Sequence, residues 1–435
     1  AEVSLMDQSR RYFLQGVAAG TVAAAMPATA MASSLPAPPA SLSPADLARD
    51  EAFWREIGTY YERSESILNL EHGYWSKMAQ PVQAAYVEAM GRVNVENSYY
   101  ARKRYSEDEG RATECIAAAL GAEADEIVIT RNATEGIQSL LGQYRHLEPG
   151  DAVLIADIDY PAFKTYMRWL RQGRGVRVVE LVLPERASQG EILDLYVRAF
   201  EANPEIRLAL VTHVSNQLGL VIPVAEISAE ARRADIDIVC DAAQSWGLLE
   251  YNVDDLGVDW AAFNLHKWIG APLGTGALYM RRGTLDKVAR HPGESDGEDR
   301  GVRSRIHSGT GNFAATLAIP SALDFHEAVG PANKEARLRY LRSLWTSEAE
   351  RMPHLEVLGG RDEASWTGIA SFRLRGRSSV DDAIALQQRL ENEFGVFTVI
   401  RKGLNGGGCV RITPQVFNSA DDLDVLVDAL RQLAA

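Results

Sequence analysis

Short apolar runs that close on polar clusters recur through the middle of the chain. Residues 127–130, 152–156, 208–212, 236–240 and 258–263 are dominated by Val, Ile, Leu, Ala and Phe with little polar alternation. That is the pattern of strands buried on both faces of a parallel sheet. Amphipathic stretches separate them, one running from Asn132 through Tyr144, so the pattern predicts alternating strands and helices over a large domain at residues 84–315. Before it, a helix is predicted over 46–63 and an irregular segment over 69–75, together forming an N-terminal arm at 46–83. After it, helical periodicity over 316–329 and through Glu348, strands near 369–374 and 396–400, a strand carrying Arg411 and a helix over 420–433 predict a smaller α+β domain at 316–435. The run Gly406-Gly407-Gly408 predicts a mobile loop over the site.

The polar residues at the strand ends carry the chemistry. In open α/β sheets the ligand crevice lies beyond the carboxyl ends of the strands, and each run here ends in reactive types. The run 258–263 ends in Asn264-Leu265-His266-Lys267-Trp268 before the turn Gly270-Ala271-Pro272-Leu273-Gly274-Thr275-Gly276. A lysine placed there is desolvated, which lowers its pKa and suits it to imine formation with a carbonyl-bearing cofactor, although a strand-end lysine can also simply snorkel. The run 236–240 ends in Asp241-Ala242-Ala243-Gln244, where the acid can hold a protonated pyridine nitrogen or cap the next helix. The run 208–212 leads into His213-Val214-Ser215-Asn216. The run 127–130 leads into Arg131-Asn132-Ala133-Thr134-Glu135-Gly136, where a helix N-terminus offers a phosphate seat or, more plainly, an N-cap.

This set, in this order and spacing, resembles the class V aminotransferase family of pyridoxal 5'-phosphate (PLP) enzymes from about Asn69 to the C-terminus. Leu68-Asn69-Leu70-Glu71-His72-Gly73, Asp159-Tyr160-Pro161 and Arg411-Ile412-Thr413 most resemble its isopenicillin N epimerase-like members. The resemblance implies the fold type I architecture, an α/β large domain with a mainly parallel seven-stranded-type sheet plus a small C-terminal α+β domain, with PLP as cofactor and no metal. It implies Lys267 as the imine-forming lysine, Asp241 as partner of the pyridine nitrogen, and Gln244 and Asn216 as donors near the phenolic oxygen. Thr134, the backbone at Glu135, and His266 would hold the phosphate. Asn264 stands where many relatives carry serine. Tyr160 falls in the region that supplies the ring-stacking group, and is also an ordinary turn residue before proline. Ser308-Gly309-Thr310-Gly311-Asn312 resembles the motif that reaches the phosphate of a neighbouring subunit, which would make Thr310 part of a homodimeric site; it also reads as a plain glycine-rich loop. Arg411 would clamp a substrate carboxylate, as a planar guanidinium can, with His72 nearby.

Composition narrows the class of partner. With 435 residues, 46% hydrophobic and 24% charged, the chain can bury a large core. A net charge of -14 disfavours nucleic acid and anionic membranes. Three cysteines, Cys115, Cys240 and Cys409, are too few for a disulfide framework. Ser9-Arg10-Arg11-Tyr12-Phe13-Leu14, the alanine-rich run 16–26 and the small-residue sites Ala28-Thr29-Ala30 and Ala30-Met31-Ala32 predict a twin-arginine signal at 1–32, with a linker at 33–45. An Arg-Arg pair in an anchoring or disordered tail is the alternative. Export of an already folded protein suits a cofactor installed during folding, so a periplasmic location and the twin-arginine export machinery are expected, with no stable membrane span after processing.

The chemistry expected is Cα deprotonation of an amino acid or amino-acid-containing peptide, with Lys267 as base. Epimerisation needs a second base, for which His213, Tyr160 and His72 are candidates. Transamination and tailoring of a peptide or siderophore side chain, as in the exported class V enzymes that modify the glutamate of pyoverdine, are the alternatives. Desulfurase chemistry is disfavoured because Cys409 sits two residues from Arg411 instead of on a separate loop. Glu96 to Arg102, rich in aromatics and arginine, could line the mouth of the site or form dimer surface. A non-catalytic binding module is the reading from a different class, opposed by the intact Lys267, Asp241, His266 and Arg411.

Overall fold

A computed structural model describes residues 37–64, 66–294 and 296–433. The predicted twin-arginine signal at 1–32 and the start of the linker lie outside the described residues.

Seven strands form the large sheet: β1 (Ile127–Thr130), β2 (Ala152–Ala156), β3 (Arg177–Leu181), β4 (Ile206–Thr212), β5 (Asp237–Asp241), β6 (Trp260–Asn264) and β7 (Gly276–Met280). Their order across the sheet is β3-β2-β4-β5-β6-β7-β1. Only β7 runs against its neighbours, pairing antiparallel with both β6 and β1. The other six strands therefore deliver their carboxyl ends to one edge. β2 is fully buried along its length and shows why the runs are continuous and apolar: Val153 and Ile155 join one core cluster, Ala152, Leu154 and Ala156 the other. Alternate side chains thus reach opposite layers.

The helices lie in chain order as α1 (Glu51–Gly58), α2 (Gln80–Lys103), α3 (Tyr105–Leu120), α4 (Ala133–Gln143), α5 (Pro161–Arg174), α6 (Gln189–Ala202), α7 (Val224–Arg233), α8 (Ile319–Val329), α9 (Pro331–Ala349), α10 (Val380–Phe394) and α11 (Ala420–Gln432). On one face of the sheet α4 and α5 pack Leu140, Leu141 and Met167; on the other α6 and α7 pack Ile192, Tyr196 and Ile227. A second sheet is built from β8 (Leu355–Gly360), β9 (Ala370–Leu374), β10 (Val399–Leu404) and β11 (Gly407–Ile412), ordered β10-β11-β9-β8 and antiparallel throughout. Arg186–Ala187 extends it as a short parallel edge. Leu68–Asn69 pairs in parallel with Val396–Phe397, and Glu71 bridges to Thr413. The arm before the large sheet is therefore stitched to the end of the chain.

Several expectations change. The helix predicted over 46–63 is two pieces, Pro44–Leu47 and α1, because Asp50 turns out to cap α1, its Oδ1 accepting from the Ala52 and Phe53 amides. The stretch predicted helical over 316–329 is two pieces, Phe313–Leu317 and α8, which meet at Ala318, while the separate helix expected through Glu348 is α9, set off by Gly330 at φ 92° and the proline after it. Gly406-Gly407-Gly408 is no mobile loop over the site: it closes the β10–β11 hairpin, with Gly407 at φ 105° and the Gly408 amide donating to Ser378 O at 2.7 Å. The glycines are there for close backbone approach, which a Cβ would block. Residues Glu96 to Arg102 lie in α2, kinked at Asn97 (φ 49°), and do not line the cavity described next. Among the described residues no helix is long and apolar enough to cross a membrane.

Candidate active site

A cavity of about 460 Å³ opens at the carboxyl edge of the large sheet, between β1, β4, β5 and β6 on one side and β10 on the other. Lys267, three residues past β6, is at its floor. The turn is fixed on both flanks: the Ser76 amide donates to His266 O at 3.0 Å, and the buried Lys334 donates from Nζ to Trp268 O at 2.8 Å. Burial lowers the Lys267 pKa to about 8, Arg411 and Arg401 push the same way, and Asp241 opposes them. Such an amine is a nucleophile and base near neutral pH, which an ordinary lysine is not.

Asp241 ends β5, 6% exposed, with Oδ1 accepting from the Ala243 amide at 3.0 Å. Burial raises its pKa, while that same amide and the Lys267 charge hold it down. Beneath it Asp159 accepts from the Ala156 amide and the Thr212 hydroxyl, each at 2.7 Å, and anchors the turn that presents Tyr160. Tyr160 itself is 41% exposed, lines the cavity and packs edge-on to Phe163.

The start of α4 is a prepared anion seat. Asn132 is its N-cap and accepts from the Glu135 amide at 2.9 Å; Asn264 reaches across from β6 and accepts from the Ala133 amide at 2.8 Å. Thr134 faces the cavity between those two amides. The close crossing depends on Gly276, where a Cβ would lie 2.6 Å from Asn132 Cα. Asn264 therefore positions the helix, and the Glu135 side chain turns away to pair with Arg131. His266 accepts no ambiguity in its orientation: Nδ1 sits 2.9 Å from Thr275 O and so donates, leaving Nε2 for the cavity. Gln244 lines the cavity, donates to Gly73 O at 2.9 Å and accepts from the Trp268 indole at 2.9 Å; Asn216 lines it beside Val214.

Other expected residues lie outside the lining. His213 is buried, edge-on to Tyr251, with Nδ1 unpartnered, and burial lowers its pKa to about 4. His72 is buried against Phe417, its Nε2 3.1 Å from Asn69 O, and burial likewise lowers it to about 4. The apolar packing that makes these histidines neutral also removes them from the cavity, so neither supplies the second base expected for epimerisation. Arg411 is fully buried, and its guanidinium is held by Glu71 and by Asn216 O; the carboxylate-clamping role expected of it is not open in this arrangement. Thr310 is exposed on its loop, away from this chain's own cavity. The sequence reading missed Arg401, Tyr74 and Leu273 in the lining. Arg401 lies in an unremarkable Arg-Lys pair, and only the β10–β11 pairing brings it to the site.

The comparisons with known proteins agree with this geometry. Residues 76–426 match the family model "Aminotransferase class-V". The chain belongs to the class-V aminotransferase family. Within it, the chain is 28% identical to an isopenicillin N epimerase of Streptomyces clavuligerus over 348 residues, 74% of this chain and 84% of that one. It is equally 28% identical over 344 residues to a probable cysteine desulfurase of Methanothermobacter thermautotrophicus, 74% and 83% of the two chains. Among solved structures it resembles a mutant of the lyase C-DES with glycine covalently linked to its PLP cofactor, with a TM-score of 0.72, 20% identity, and coverage of 84% of this chain and 96% of that one. The fold is thus that of PLP-dependent enzymes, and this class-V enzyme uses PLP. Its own residues fit that cofactor: a desolvated amine at Lys267, a buried carboxylate at Asp241, and a capped helix N-terminus with Thr134 and His266 meet in one cavity.

Proposed function

We propose that this class-V enzyme labilises the Cα of an amino acid, or of an amino-acid residue borne by a peptide, with Lys267 as its single proton-transfer base, in a transamination or side-chain tailoring reaction. The observation that carries the reading is the composition of the cavity lining among the described residues: Lys267 is its one amine, His72 and His213 are walled off, His266 is the histidine set beside the phosphate seat at the start of α4, and no cysteine lines it. Cys409, the nearest to a desulfurase nucleophile, is fully buried in β11 and pushed up to about 11 by burial. A thiol in that state is a poor nucleophile.

Bound PLP supplies an electron sink for the charge that develops at Cα. The residues that would hold it are Lys267 at the carbonyl carbon, Asp241 at the ring nitrogen, Thr134 with its own backbone amide and His266 at the phosphate, and Tyr160 at the ring face. Lys267 would take the proton from Cα and would redeliver it. Asp241 opposes, through its charge, the drop in the Lys267 pKa that burial causes. Tyr74 and Leu273 line the cavity and are exposed, the two places where the remainder of a larger substrate would meet this chain.

Epimerisation is the second reading, favoured by the similarity to isopenicillin N epimerase; Tyr160 is then the cavity group left to serve the opposite face of Cα. Two further expectations join the proposal. The partner is a second copy of this chain, supported by the exposed Val87, Met90, Val95 and Tyr99 on α2 and by an exposed Thr310 that does not line its own chain's cavity. The location is the periplasm, supported by the twin-arginine pattern.

The deciding experiment incubates holoenzyme with D- and L-amino acids and glutamyl peptides in deuterated water. One-base chemistry gives deuterium at Cα with retained configuration, or a keto product, and Lys267→Ala abolishes both. Deuterated product of inverted configuration, lost on Tyr160→Phe, replaces this reading with epimerisation. A parent protein that takes up no PLP and exchanges no proton leaves only a binding module.

A further inference from the structure

A second cavity, of about 680 Å³, shares a wall with the active site. The segment that follows β5 serves both spaces. Asp241, Ala243 and Gln244 line the active-site cavity, whereas Trp246 and Tyr251 line the second one. The Tyr251 hydroxyl lies 2.8 Å from Ser245 Oγ, so the two linings are tied through adjacent residues. Helix α8 supplies Asp324, His326 and Glu327 to the same space.

The charge of this cavity is one-sided. Glu250, Asp255, Asp324 and Glu327 line it, and no lysine or arginine does. Among the described residues none of these four carboxylates is in a salt bridge. Burial raises the Asp324 pKa, the strain of a charge that lacks a counter-ion. Trp246 and Tyr251 add aromatic surface, to which cations are drawn. The occupant is not a metal ion, since among the described residues no three His, Cys, Asp or Glu side chains are grouped to hold one. A second observation points to an organic ligand. His326 is 3% exposed, and its Nδ1 accepts from Lys334 Nζ at 2.8 Å. Burial and the Lys334 charge keep that ring neutral. The ring proton is therefore on Nε2, which has no partner among the described residues and is left for the cavity.

Behind His326 a chain of hydrogen bonds leads to the turn that bears Lys267. The buried Lys334 also donates to Trp268 O at 2.8 Å. The Trp268 indole in turn donates to Gln244 Oε1 at 2.9 Å, and Gln244 lines the active-site cavity. Burial lowers the Lys334 pKa to about 7, and the Glu327 charge opposes that fall. A cation seated on Glu327 withdraws this support and loosens the ammonium that holds the turn. We propose that this cavity is a regulatory site for a small organic cation that also carries a hydrogen-bond acceptor, such as an amino alcohol, and that its occupant biases the Lys267 turn through His326 and Lys334. The carboxylates and rings take the charge, and the His326 Nε2–H meets the acceptor.

The test titrates choline into the holoenzyme by calorimetry. Choline has no N–H and forms no imine, so it does not act as a substrate at Lys267. One-to-one binding is expected, weakened about tenfold for the neutral isostere 3,3-dimethylbutan-1-ol. The double variant Asp324→Asn, Glu327→Gln should bind choline about tenfold more weakly than the parent while its cofactor band matches the parent's. Saturating choline should raise the PLP dissociation constant about fivefold, and linkage then requires apoenzyme to bind choline about fivefold more tightly than holoenzyme. Lys334→Met should abolish that coupling and still bind choline. If that variant fails to fold, Glu327→Gln alone reads the same link, because choline then has no support to withdraw. No heat from choline, equal affinity for the neutral alcohol, or parent-like affinity in the double variant overturns the site. A PLP dissociation constant indifferent to choline overturns the link. The choline titration needs no cofactor, so a chain that takes up no PLP ends the Cα chemistry and the link together while the cavity is still decided.

Discussion

Lys267 is useful because the fold withholds water from it. With the pKa lowered to about 8 by burial, roughly a tenth of the amine is free at pH 7, against about 0.03% for an unperturbed lysine. The rate of PLP capture by apoenzyme should therefore climb as pH rises from 6 to about 8 and level off above it, as followed by stopped-flow absorbance; a rate still climbing tenfold per unit at pH 9.5 would contradict the desolvated site. Gly73 offers a second check at this scale. An added methyl would press on the Arg411 guanidinium from behind, so Gly73→Ala should lose about 1–3 kcal/mol in urea unfolding and weaken substrate binding together. Unchanged stability would mean that the Glu71–Arg411 pair yields freely.

At the level of elements, the seat for an anion is made by two asparagines on different segments, Asn132 capping α4 from within and Asn264 reaching over from β6. Asn132→Ala should cost about 1 kcal/mol of stability, the usual toll of a lost N-cap, and Asn264→Ala should raise the PLP dissociation constant with less effect on unfolding. Dialysis against PLP-free buffer followed by absorbance distinguishes the two. Five strands of the large sheet were legible because burial on both faces leaves no alternation to confuse, as in β2; β3, a partly exposed edge strand carrying Arg177 and Glu180, and β7, which follows directly on the glycine-bearing turn, were not. The arm was not: Asp50 looks like one more polar helix residue until its side chain is seen to cap α1. The glycine run at 406–408 misled for a related reason, since composition registers freedom and not the nearness of the Ser378 backbone.

Across the whole molecule, two buried histidines weaken the fold toward acid. His72 and His213 are held neutral, with folded pKa values near 4 against an ordinary 6.5. Between those limits the unfolded chain binds protons that the folded chain refuses, so their contribution is complete above pH 6.5 and drains away as pH falls toward 4, on the order of 3 kcal/mol each at full extent. Asp159, pushed up to about 7 by burial, acts in the opposite sense over the same window, so the histidines are read by difference: the urea midpoint of His72→Gln should fall less between pH 7 and pH 5 than the parent's, and an equal fall would show that the ring reaches solvent. The site was legible wherever a strand end carried it, at Asp241, Lys267 and Thr134. Arg401 and Glu71 escaped because their nearness exists only after distant segments have folded together. That last point bears on synthesis. Glu71 and Arg411 are 340 positions apart, and both β10 and β11 come from the closing stretch of the chain, so the sheet that bears Lys267 can be finished on the ribosome while one wall of its cavity is still missing. Retention of PLP should then report that translation has run to the end of β11, and not merely that the large sheet has folded.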